Sequence, residues 1–113
     1  MIKENDLRII SSMILECNRL TKICDDYSDE MIINSFIYSD SLLYEFEKLF
    51  EDSTRLSKEL QEDPHLHIND LRGIRNRIAH RYESITLSIL IDTVKNDIPV
   101  LNSVLKNYLE INK

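Results

Sequence analysis

Apolar residues recur every three or four positions between residues 4 and 24, at Leu7, Ile10, Met13, Ile14, Cys17, Leu20 and Cys24. That is the stripe of a helix burying one face. The pattern breaks over Asp25 to Ser28, where Ser28 is placed to cap a second helix with Asp29 and Glu30 at its positive end. This second helix is predicted to run to about Asp52, with Ile32, Phe36, Leu43, Phe46 and Phe50 facing inward. A short helix from Thr54 to Leu60 comes next and ends before the polar stretch Gln61 to Pro64. Pro64 and Asn69 bracket a loop, and Asn69 or Asp70 can cap a third long element whose Leu71, Ile74 and Ile78 fall three and four apart. Gly73 costs that element about 1 kcal/mol relative to alanine, and points either to a ragged start or to the close approach of another backbone. From Thr86, the positions Leu87, Leu90, Ile91, Val94, Ile98, Leu101, Leu105 and Leu109 keep helical spacing to the end. Pro99 lacks the amide hydrogen that an inner helical turn needs, so a kink or restart is expected at Asp97, which could serve as a new cap.

These elements predict an all-α protein: an up-and-down bundle of four to five helices forming one domain over residues 1–113. Composition agrees. One glycine and two prolines in 113 residues leave little for tight turns, which argues against a β-sandwich or a glycine-rich phosphate loop. The net charge of -6 argues against nucleic acid held by overall attraction, although local patches remain open. Met1 to Leu7 lacks the pattern of a signal peptide, and no apolar run approaches the roughly 18 residues of a membrane span. A cytoplasmic protein is expected. Cys17 and Cys24, on one helix, lie about 10 Å apart along its axis, too far to pair with each other. Both read as small core residues.

One segment reverses the sign of the chain. Four of the seven arginines, Arg72, Arg75, Arg77 and Arg81, fall within ten residues, with no acid between Asp70 and Glu83. His80 and Tyr82 lie in the same stretch. Arg75 and His80 are five positions apart, roughly 140° around a helix, so they cannot share a narrow stripe but can flank a groove. Guanidinium grips phosphate oxygens as a fork and stays charged, while imidazole takes and returns a proton near neutrality. With RNA, the substrate's own 2′-hydroxyl can attack, which needs no metal or cofactor and leaves a 2′,3′-cyclic phosphate. One histidine is a thin supply for both proton transfers, and a twofold homodimer would set two copies of the segment across one cleft. The plainer reading of the arginines is a solvated helix face. His65 and His67 form an H-x-H pair with no nearby cysteine, an incomplete metal site that reads better as loop. The acids from Glu45 to Asp52 read as capping and solvated-face residues, whose surplus would repel RNA outside the cleft.

The run Arg75-Asn76, three residues, His80, one residue, Tyr82, late in a small helical domain, resembles the HEPN superfamily and within it the HepT type. The likeness extends over nearly the whole chain, including the proline in the last helix. The arginine–histidine spacing is common by itself, and Asn76 and Tyr82 make the motif specific. The resemblance implies a dimeric, metal-independent ribonuclease toxin, encoded beside a minimal nucleotidyltransferase antitoxin. It implies Arg75 and His80 as the catalytic pair, Asn76 in support, and Tyr82 as the acceptor of AMP from the antitoxin. Arg72, Arg77 and Arg81 would then contact RNA. Arg81 departs from the family pattern, since many relatives have an acid there, and Ile68 stands near where many have tryptophan. The alternative expectation is a catalytically inactive helical module that partners a nucleotidyltransferase.

Overall fold

In the computed structural model, helix α1 (Glu4–Asp26) is the element around which the others assemble, packing along α3 (Phe36–Arg55) and α7 (Ile98–Ile111). The structure describes residues 3–81 and 83–112. Between these long helices lie α2 (Asp29–Asn34), α4 (Lys58–Gln61), α5 (Ile68–Arg77) and α6 (Ser84–Asn96), with a 3₁₀ turn over Ile78–His80. No strand occurs among the described residues. The protein is an all-α bundle with one continuous apolar core.

The core draws on the stripes read from the sequence. Ile10, Met13, Cys17 and Leu20 of α1 meet Leu42, Phe46 and Leu49 of α3, all fully shielded, and Leu90, Ile91 and Leu105 close the other side. Local polar bonds set the ends of the elements. The Ser28 hydroxyl accepts from the Met31 amide, as expected of an N-cap. At α4 the cap comes partly from afar: Asp6 Oδ1 of α1 accepts from the Ser57 amide at 2.8 Å, 51 residues along the chain. The Asp63 carboxylate, in the loop before α5, accepts from the Tyr108 hydroxyl of α7 and from the His65 amide.

Several expectations change. The helix predicted from Ser28 to Asp52 is two, because Ser35 leaves helical geometry (φ -118°, ψ 118°) and re-aims the chain as it enters α3. Phe36, expected in the core, is therefore 72% exposed, whereas Ile32, Leu43, Phe46 and Phe50 are buried. The helix expected over 54–60 is divided: residues up to Arg55 continue α3, and α4 starts at Lys58. With these breaks there are seven α-helices among the described residues rather than four or five. Helix α5 begins at Ile68, earlier than a cap at Asn69 or Asp70 would set, after His67 takes a left-handed conformation (φ 51°). Gly73 serves no close approach: a Cβ there would meet nothing within 4 Å, and the helix runs through it. Asp97 does mark the restart before Pro99, but keeps helical angles and makes no side-chain cap bond. Pro99 sits in the first turn of α7, where a missing amide hydrogen costs nothing.

Candidate nucleic-acid interface

Helix α5 is thinly anchored. Leu71 is buried, Ile74 is half-buried, and Ile68 and Ile78 are the buried residues at its two ends. A helix of 3.6 residues per turn then places Arg72, Arg75 and Asn76 together on one flank of this apolar stripe and Arg77 on the far side. After Arg77 the backbone tightens into the 3₁₀ turn, and the Glu83 amide donates to the His80 carbonyl at 3.0 Å, closing the bend that leads into α6.

The flank faces α3 across a groove of about 660 Å³. Arg75 and Asn76 of α5, Ile78 and Ala79 of the turn, and Arg81 line one wall, while Glu47, Phe50, Glu51 and Thr54 of α3 line the other. Arg75 is exposed and its guanidinium makes no hydrogen bond or ion pair with any described residue, and the same holds for the guanidinium of Arg77. The other two arginines are engaged. Arg81 Nη2 lies 2.6 Å from Glu47 Oε1. Arg72 Nη2 donates to Gln61 Oε1 at 2.8 Å, and the Gln61 amide in turn donates to the Thr54 and Leu56 carbonyls left open at the end of α3. Arg72 thereby fastens α5 to α3.

His80 is 68% exposed and is not part of the groove lining. Its Nδ1 faces Glu83 Oε1 at 3.3 Å, and its Nε2 has no partner among the described residues. Within one chain, then, Arg75, Asn76 and Arg81 share a groove, His80 stands beside it with its own carboxylate, and Arg72 and Arg77 lie outside it. Tyr82 lies outside the described residues. Elsewhere, His65 Nδ1 is 3.1 Å from Asp63 and His67 Nδ1 is 3.5 Å from Asp70. No three metal-ligating side chains gather among the described residues. Burial pushes the thiols up, Cys17 to about 12 and Cys24 to about 11, so neither supplies a thiolate near neutrality.

A model of the family described as ribonuclease HepT-like matches residues 13–108. The chain belongs to the HepT-like ribonuclease family. The match takes in α3, α5 and the turn, and so every residue of the groove and its rim. No solved structure matches the chain. Membership in the HepT-like family points to ribonuclease activity of the HEPN type, with RNA as substrate. No described helix is long and apolar enough to cross a membrane.

Three acids at this site were not singled out by the sequence. Glu47 and Glu51 had the look of a solvated face, yet they form the wall opposite Arg75 and Arg81. Glu83 marked only the end of the basic run, yet it is the residue that His80 faces. The i to i+3 spacing of His80 and Glu83 was the one available signal. For Glu47 there was none, because its partner Arg81 lies far along the chain, on another element.

Proposed function

We propose that this HepT-like protein is a metal-independent endoribonuclease toxin that cuts RNA at a composite site formed by two copies of the chain. The observation that carries this reading is the state of the motif residues: Arg75 is exposed without an internal partner among the described residues, and His80 is exposed with Nδ1 backed by Glu83. A permanent cation left unpaired in a chain rich in acids is available to an anionic ligand. An imidazole held from one side presents its other nitrogen for acid–base work.

In this mechanism one imidazole removes the proton of the 2′-hydroxyl. The O2′–P bond forms, the P–O5′ bond breaks, and the electron pair leaves on O5′. The imidazole of the second copy gives O5′ its proton, so the products are a 2′,3′-cyclic phosphate and a 5′-hydroxyl. Arg75 holds the phosphate oxygens while charge builds on them, the effect that usually dominates such reactions. Asn76, the next residue along the groove wall, supports the same phosphate, and Arg72, Arg77 and Arg81 contact the flanking RNA. A nucleotidyltransferase antitoxin neutralises the toxin by transferring AMP from ATP to the hydroxyl of Tyr82, two residues past His80, with pyrophosphate leaving, and the added bulk and negative charge obstruct RNA.

Incubation of RNA with the purified protein in EDTA tests the reading. Cleavage is expected to persist under chelation, to leave cyclic phosphate ends, and to fall by about a thousandfold or more in His80→Ala. Unchanged cutting by that variant would reject His80 as the catalyst. Acceptance of AMP on Tyr82 by a protein that cuts no RNA would instead identify an inactive binding module.

A further inference from the structure

The arginines of the basic segment do not meet RNA on equal terms. The Arg75 guanidinium has no partner among the described residues, Arg72 is tied to Gln61, and Arg81 already holds an anion, the carboxylate of Glu47 on the opposite wall of the same groove. The contact is short, 2.6 Å, and both side chains are a little under half exposed (43% and 45%), so solvent and solute reach the pair. A carboxylate offers guanidinium the same two-oxygen fork that a phosphodiester offers.

We propose that Glu47 is an internal competitor for RNA phosphate at Arg81. In the free chain its carboxylate occupies the guanidinium, and RNA binding exchanges that carboxylate for a phosphodiester oxygen pair. The inference rests on the ribonuclease reading and adds to it a residue that sets how tightly the groove takes RNA. Because phosphates carry no sequence information, the competition weakens all RNA alike and leaves base preference untouched. Glu51, the other acid of this wall, plays a different part, since it is paired with Arg55, which lies outside the groove lining. Its charge acts on RNA only at a distance.

The test uses the full chain carrying His80→Ala, so that bound RNA stays intact, and a short fluorescein-labelled single-stranded RNA followed by anisotropy at low salt. Glu47→Gln keeps the shape and removes the charge. It is expected to tighten binding by about three- to fivefold, the range one exposed ion pair permits. The gain is expected to vanish when Arg81→Gln is also present, and to be the same for uridine-rich and adenosine-rich probes. An equal gain with and without Arg81 would reduce Glu47 to a distant charge and overturn the proposal. Unchanged or weaker binding in Glu47→Gln would overturn it too, by making the pair a structural tie. If RNA binds none of these forms, the ribonuclease reading falls together with the competitor role.

Discussion

The seam between α1 and α3 and the basic segment from Arg72 to Arg81 both bring ionisable groups to the edge of the core, and they resolve the conflict in opposite ways. In the seam, Glu16 and Asp52 are buried against each other. Burial, followed by the hydrogen bond to Asp52, pushes the Glu16 carboxyl up to about 9. Glu16 therefore keeps its proton, and the interior holds one charge fewer than the sequence suggests. Arginine has no such exit, because its guanidinium does not lose its proton in a protein. The basic segment stays at the surface, where its charges are met by solvent, by Glu47, or by a ligand. A titratable charge can be silenced and buried, whereas a permanent one has to remain accessible, which is what a phosphate-binding surface requires.

Substitutions in the two regions should separate chemistry from stability. Arg75→Ala is expected to lower the rate of RNA cleavage by about a hundredfold or more while leaving the melting temperature unchanged, as removal of an exposed electrostatic stabiliser does. Arg75→Lys should fail to restore the rate, since an ammonium cannot reproduce the fork. Loss of melting temperature in Arg75→Ala would show that the segment carries structure after all. Phe46→Ala, in the packed seam, is expected to do the reverse and cost about 3–5 kcal/mol in urea unfolding. Cleavage per folded molecule should stay intact.

Glu16→Gln probes the retained proton. In the unfolded chain this carboxyl ionises in the ordinary range, whereas in the fold it holds its proton to about 9. The raised value means that its contribution is fully present at acid pH and is lost progressively as pH rises between the two. Glutamine removes that dependence, so the variant should become more stable than the parent as pH rises toward about 8. The difference should shrink toward about pH 4, and a difference that stays flat across this range would contradict a buried, protonated Glu16. The smallest effect is expected at Gly73→Ala, a gain of up to about 1 kcal/mol in thermal unfolding. The helix passes through this position with open space around it, and a loss of stability there would mean that α5 needs the glycine for a reason other than room.

Much of this protein is local in origin. Helical periodicity placed α1, the later half of α3, α6 and α7, because a repeat of three and four in apolar residues is itself the surface that must be buried. The motif from Arg75 to Tyr82 carried the family, since its members lie within about two turns and need no distant partner to be noticed. The break at Ser35 was not legible, because Ile32 and Phe36 keep a helical spacing across it and nothing in that spacing reports a change of direction. With that break, α3 turns Phe36 outward and sets Glu47 and Glu51 against Arg75 and Arg81. The division of four similar arginines into those without a partner among the described residues, one tied and one competed-for was likewise decided only by packing. The tied and competed-for states each depend on a residue of another element, Gln61 or Glu47, brought near by the way α5 lies on α3. Side-chain contacts of that kind depend on distance in space rather than order along the chain.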